Sequence, residues 1–223
     1  MNGRIGTFFI VSTPIGNLKD ITLRALEVLR EVDIIACEDT RVTSKLLARY
    51  NINKKLISYF EHNKAKKGPG IIKLLKEGKS IALVTDAGTP GICDPGYYVI
   101  KLAIEERIPM TVAPGPSALT AALVLSGKPP DRFIFEGYLP RKKGARRKKL
   151  KELMAEKRTI IFYESPHRII RSLEDINTFF PEREICCIRE LTKKFEEVIK
   201  DTASGLIRHF KKKKPKGEFV IIL

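Results

Sequence analysis

No apolar run in this chain is long enough to cross a bilayer. The opening residues Met1-Asn2-Gly3-Arg4 run straight into an apolar stretch, without the architecture of a secretory leader. Cysteine is scarce, and none of Cys37, Cys93, Cys186 and Cys187 stands in a CxxC pair or beside a histidine pair. That argues against a structural zinc site or any other resident metal and suits a reducing, cytoplasmic setting. Also missing are a GxGxxG after the first apolar run, a GxxxxGK[ST], an HExxH and a GxSxG. Dinucleotide enzymes of the standard fingerprint, P-loop ATPases and generic hydrolases are thereby disfavoured.

Acidic residues are the minority: 26 Asp and Glu against 42 Lys and Arg leave a formal net charge of +16. Such a field favours a polyanionic partner, usually nucleic acid, although basic surfaces also serve solubility. The excess is concentrated in Arg141, Lys142, Lys143, Arg146, Arg147, Lys148, Lys149 and Lys151, and again in Lys211 to Lys214. The first segment is dense enough in charge that it is expected to stay unpacked and to serve as a phosphate-binding arm. Otherwise the chain reads as an ordinary globular protein of 223 residues, 43% of them hydrophobic, with material for one large domain or two small ones.

What is present is an alternation. Apolar β-branched runs at 7–12, 33–37, 55–60, 80–85 and 110–113 read as strands. Helical patterns at 18–30, 43–50, 71–76, 97–106 and 118–125 separate or follow them. Strands alternating with helices imply a parallel sheet covered on both faces. Ser126-Gly127-Lys128-Pro129-Pro130-Asp131 breaks the pattern, giving an N-terminal α/β domain over 1–127 and a C-terminal domain over 128–223. The second half reads as mixed α+β. Strands are expected at 132–136, 159–164, 184–190, 196–200 and 218–223, with helices within 141–156 and at 166–179 and 202–210. The two strands at 184–200 are close enough to be antiparallel, and a ligand cleft is expected between the halves.

The most informative stretch is Ser80 to Gly96, SIALVTDAGTPGICDPG, where an apolar run stops abruptly at Asp86 and a glycine-proline loop. In an open parallel sheet the carboxyl edge of the strands is where ligands bind, and glycine lets backbone approach them. Four further strand ends would share that edge: Thr13 to Asn17, Glu38-Asp39-Thr40-Arg41, Glu61-His62-Asn63 and Pro114-Gly115-Pro116-Ser117. The same residue types also simply turn and cap: Asp39 or Thr40 suits a helix N-cap, and Ser165-Pro166 a helix start. His209 reads as a surface histidine and Cys186-Cys187 as core.

The motifs VSTPIGNLKDIT, EDTR, EHN, TDAGTPGICDPG, PGPSAL, FEGYLP, FYESPHR and KGEFVI follow one another along the whole chain. Together they resemble the small-subunit ribosomal RNA methyltransferase I family, 2'-O-ribose cytidine methyltransferases on the tetrapyrrole-methylase fold. The family most often has Ser where this chain has Cys93. The resemblance implies a homodimer that binds S-adenosylmethionine, with small-subunit (16S) rRNA or the assembled subunit as partner and a decoding-region cytidine as target. It places the cofactor against Pro14, Asp86, Ala87, Gly88, Thr89, Pro114, Gly115, Ser117 and Ala118, with adenine near Tyr163, Gly217 and Phe219. Candidates for moving the 2'-hydroxyl proton or supplying a local field are Glu38, Arg41, Glu164 and His167, with Asp39, Glu190 and Lys193 also polar groups of that region. RNA contacts are expected from Arg41, His62, Asn63, Arg168 and the segment Arg141, Lys142, Lys143, Arg146, Arg147, Lys148 and Lys149. Two rivals remain: a methylase of a small acidic tetrapyrrole or corrin on the same fold, and a basic RNA-binding protein without transfer activity.

Overall fold

A computed structural model describes residues 5–212 and 214–223. Met1-Asn2-Gly3-Arg4 and Lys213 of the second basic run lie outside the described residues. The chain divides into two compact units, Met1–Ser117 and Ala118–Leu223.

The first unit carries five strands: β1 (Phe8–Val11), β2 (Ile34–Cys37), β3 (Lys55–Ser58), β4 (Ile81–Val84) and β5 (Met110–Ala113). They form one all-parallel sheet in the order β3-β2-β4-β1-β5. Every residue of β2 and β4 is buried, which is why these strands read as unbroken apolar runs rather than as alternations. Alternate residues serve opposite cores. Val11, Ile35, Cys37, Ala82 and Val84 pack with helices α1 (Leu23–Glu31) and α2 (Thr40–Arg49). Phe8, Ile10, Ile34, Ile81 and Leu83 pack on the other face with α3 (Lys64–Lys76) and α4 (Gly96–Glu105).

Three helix starts differ from the sequence expectation, each for a local reason. The pattern from Leu18 is split into a short 3-10 turn, Leu18–Asp20, and α1, because Thr22 Oγ1 accepts the Ala25 amide at 3.1 Å and caps the helix there. Helix α2 begins at Thr40 because Asp39 accepts the Arg41 amide at 2.8 Å as N-cap. Helix α3 runs through Gly68-Pro69-Gly70, which reads as a breaker. A Cβ on Gly68 would lie 3.0 Å from the Tyr98 ring, so glycine here serves close packing of α3 on α4 rather than a turn.

The second unit opens on helix α5 (Ala118–Ser126), which packs on β10 and β8. Its sheet has the order β6-β7-β10-β8-β9, built from β6 (Phe133–Tyr138), β7 (Thr159–Glu164), β8 (Ile185–Arg189), β9 (Glu197–Asp201) and β10 (Phe219–Ile222). Only β6 and β7 are parallel; β10 runs antiparallel to both β7 and β8, and β8 and β9 are antiparallel as expected from their spacing. Helices α6 (Lys143–Leu153), α7 (Ile169–Phe179) and α8 (Ala203–Lys212) cover one face over Ile160, Phe162, Cys187, Phe219 and Ile221. Cys186 and Cys187 are fully buried core residues. No helix among the described residues is long and apolar enough to cross a membrane.

The basic segment is not an unpacked arm. Arg146, Leu150 and Leu153 fall one and two turns apart and are all buried, so α6 has an inner face despite its charge. Arg146, expected to bind phosphate, points inward instead. Its guanidinium meets Asp175 of α7 at 2.6 and 2.8 Å and donates to the carbonyls of Pro140 and Arg141. Arg147 lies 3.7 Å from the same carboxylate and over the Phe179 ring, and Lys149 pairs with Glu136 at 3.0 Å. The exposed cations of this segment are Arg141, Lys142, Lys143, Lys148 and Lys151.

Candidate active site

In the first unit all five strands end at the same edge, and hydrogen bonds from side chains and loops tie the ends of β1, β4 and β2 together. Thr13, after β1, donates through Oγ1 to the Thr85 carbonyl at 2.9 Å and forms a two-way backbone bridge with Gly88. Ser12 and Thr89 share a hydroxyl–hydroxyl bond of 2.8 Å. Thr85 donates to Glu38 Oε2 at 2.8 Å, and the Asp39 amide donates to Asp86 Oδ1 at 3.1 Å. The Asp86–Thr89 loop after β4 is thus latched to β1 on one side and β2 on the other. Its far end is folded by Asp94, whose carboxylate accepts the amides of Gly91 and Gly96 at 2.7–3.0 Å.

Glycine at two points keeps this edge open. Gly88 has φ +84°, a conformation that favours glycine, and an added Cβ would only touch the Ile15 side chain at 3.8 Å and the Pro116 carbonyl at 4.0 Å, ordinary contacts. At Gly115 a Cβ would sit 3.0 Å from Cβ of Ser12, so the turn after β5 passes against the end of β1 only because the residue is glycine. Pro114 and Gly115 are exposed, while Pro14 is buried beneath the loops.

The charge pattern is mixed. Arg41 is 85% exposed and clasps Asp39 at 2.6 Å, a hydrogen bond that holds the Asp39 carboxyl down at about 2. Partial burial, and then the neighbouring Glu38 and Asp39, push Asp86 above the usual carboxylate range even though the Asp39 amide works against it. His62 is exposed at the end of β3, the outermost strand. Asn63 is spent on the turn, accepting the Phe60 amide at 2.8 Å and donating to the Ser58 carbonyl at 3.3 Å.

In the second unit the ends of β6, β7 and β8 and the start of β10 share one edge, since Phe219 pairs with both Glu164 and Arg189. Here Glu164 is buried, Arg168 half-buried and His167 exposed. Glu164 is 2% exposed, and its carboxylate accepts the Ser165 amide at 2.8 Å and the Ser172 hydroxyl, with Arg168 Nε 3.3 Å away. So enclosed, the carboxylate ties the 165–168 turn to helix α7. Arg168 is likewise committed, to Glu164 and to the Leu139 carbonyl, rather than displayed for phosphate. His167 is exposed on that turn. The Phe219 ring is buried against Phe210, leaving only its backbone at the edge.

The sequence reading passed over Phe135 and Tyr138. Both rings pack edge-on to Tyr163, at 4.8 and 5.9 Å between centroids, around a bulge at Gly137 (φ +62°). The FEGY motif carried that signal, since a glycine within an aromatic strand marks a bulge. His209, expected to be a solvated surface residue, lies 3.0 Å from Glu197 while staying 44% exposed.

Residues 7–207 match the family model described as Tetrapyrrole (Corrin/Porphyrin) Methylases. A relative from Thermotoga maritima, called ribosomal RNA small subunit methyltransferase I, is 50% identical over 219 residues, covering 98% of each chain. One of the same name from Halalkalibacterium halodurans is 47% identical over 218 residues, covering 98% of this chain and 75% of its own. Among solved structures, diphthine synthase superposes with a TM-score of 0.75 at 17% identity, covering 97% of this chain and 89% of its own, a likeness of fold. On these matches the chain belongs to the tetrapyrrole methylases, within the ribosomal RNA small subunit methyltransferase I group.

Proposed function

We propose that the protein is an S-adenosylmethionine-dependent methyltransferase that methylates the ribose 2'-oxygen of a cytidine in the decoding region of small-subunit rRNA. The observation that carries this reading is the chain-long identity of 50% to a relative named for small-subunit rRNA, joined to a net charge of +16. A charge of that sign suits a large polyanion better than a small macrocycle.

The residues present fit the cofactor. The bare backbone of Gly88 and the hydroxyls of Ser12 and Thr89 lie together on the latched loop and suit an amino-acid head group. Asp86, held by a single amide, keeps acceptor capacity for an ammonium or hydroxyl. In the second unit Tyr163 and its aromatic neighbours suit adenine, and Gly217 and the Phe219 backbone lie on the same sheet edge. Bound there, S-adenosylmethionine supplies a methyl group already activated as a sulfonium. The chain's part is to orient the acceptor ribose and to take its proton, and His167, exposed where Glu164 is buried, is the group we assign to that proton. Arg41, exposed beside Asp39, is the group we assign to a backbone phosphate. A homodimer acting in the cytoplasm completes the reading.

Incubation with radiolabelled S-adenosylmethionine and small subunits from a strain lacking the enzyme is expected to place label in the rRNA. No label in RNA despite cofactor binding, with label entering a tetrapyrrole supplied in a parallel incubation, would overturn the reading.

The outward cations of the 141–151 segment carry a separate prediction. Changing Lys142, Lys143, Lys148 and Lys151 to Gln is expected to reduce the slope of log affinity for RNA against log salt by about 3. The same change at Lys149, tied to Glu136, should leave the slope nearly unaltered. Filter binding across a salt series reads both.

A further inference from the structure

Where β8 leaves the second sheet, the backbone is forced through an unusual path. Glu190 has φ +54° and Thr192 φ +66°, two non-glycine residues in the left-handed region within three positions, one of them β-branched. Such a path persists only where its surroundings over-determine it. They do so here. The Glu190 amide donates to the Glu218 carbonyl at 2.9 Å, and the Glu218 amide returns to Glu190 Oε1 at 3.1 Å. The Lys193 amide closes on the Glu190 carbonyl at 2.9 Å, and the Thr192 amide donates to Glu196 at 2.6 Å. Gly217, at φ +89°, makes the room: a Cβ there would lie 2.3 Å from the Glu190 carboxyl group.

The product of this arrangement is the position of one ammonium. Lys193 Nζ donates to Glu190 Oε1 at 2.8 Å and to Glu218 Oε2 at 2.9 Å. An ammonium has three N–H groups, so one is left over, on a side chain still 27% exposed. Close by, Thr192 Oγ1 is shielded from solvent and has no hydrogen-bond partner among the described residues. A surface ion pair needs neither a strained turn nor a glycine cut away to admit its carboxylate. The site also lies on the sheet edge that carries Glu164 and the 165–168 turn.

We propose that Lys193 is a catalytic-site cation whose third N–H donates to an anionic oxygen of the acceptor nucleotide, with Glu190, Glu218 and Gly217 as its positioning residues. The proposal rests on the reading of the protein as an RNA methyltransferase. It also excludes Lys193 as the general base. Partial burial alone would lower its proton affinity, but the hydrogen bonds to Glu190 and Glu218 outweigh this and keep it charged. Glu190 in turn is held below the usual carboxylate range: burial pushes it up, but Lys193, the Glu218 amide and Arg189 together prevail.

The test is single-turnover methyl transfer to small subunits by wild type, K193M and K193R, with affinities for S-adenosylmethionine and RNA measured alongside. K193M is expected to lose about 30-fold or more in transfer with unchanged cofactor affinity, and K193R to recover part of it. If the oxygen is a phosphate, the loss appears as weaker RNA binding with a salt slope lower by about 1. If it is the 2'-oxygen, the loss appears in the rate at saturating RNA. Wild-type transfer and RNA binding by K193M would overturn the proposal. Should K193M not fold, Glu218→Gln removes one anchor from a carboxylate 72% exposed. A several-fold slower transfer by it supports the proposal and an unchanged rate overturns it. Absence of transfer by wild type would instead strike the parent reading, and the proposal with it.

Discussion

Truncating Asp175 to alanine is expected to destabilise the second unit by about 3–5 kcal/mol. Its carboxylate and the Arg146 guanidinium are 6% and 7% exposed and meet at 2.6 Å. Removing one partner strands the other as a buried, unpaired charge in the seam between α6 and α7. The comparison that isolates this effect is the double change Asp175→Leu with Arg146→Met. An apolar pair of similar volume removes both charges and is expected to be neutral or stabilising. Urea unfolding followed by a probe in the second unit reads both variants. A loss under about 1 kcal/mol for Asp175→Ala would show that the pair is hydrated and that α6 is held by Leu150 and Leu153 alone.

Replacing Gly88 with valine is expected to weaken S-adenosylmethionine binding by about 10- to 100-fold, or roughly 1.4–2.8 kcal/mol. Two effects combine: φ +84° is strained for a β-branched residue, and its side chain would add bulk to the loop where Ile15 and Pro116 already lie at contact distance of a Cβ. Gly88→Asn separates them, because asparagine tolerates left-handed backbone. It should fold with near wild-type stability and still bind the cofactor poorly. Calorimetric titration with S-adenosylmethionine decides. Wild-type affinity in the asparagine variant would mean that the space above Gly88 is not where the cofactor lies.

Much of this architecture was legible because its signals are local. A buried parallel strand must be apolar throughout and must stop where the chain turns, so Ile81–Val84 ending at Thr85-Asp86 could be read directly, as could the gathering of five such ends on one edge. What could not be read depended on partners distant in sequence. Arg146 sits among seven other cations, and nothing near it reveals Asp175, 29 residues away. Gly68-Pro69-Gly70 looks like a turn until Tyr98 is seen against it. Glu164 stands in a motif that invites a catalytic role, whereas its burial follows from Ser172 on the next helix and from Arg168. Glu190 and Lys193 were visible as polar groups, but the left-handed turn that aims the ammonium is a property of backbone and of Gly217. The candidate site was therefore readable as a set of loops, and the division of labour within them was not.

The reaction proposed for this protein is the 2'-O-methylation of one cytidine. Its most direct test is mass spectrometry of nucleosides and mapped fragments from small-subunit rRNA, treated with this protein and S-adenosylmethionine after isolation from cells lacking the enzyme. A single new 2'-O-methylcytidine in the decoding region, with no methylated base, is the expected result. Methylation on a base carbon or nitrogen, or at a ribose outside that region, would contradict it.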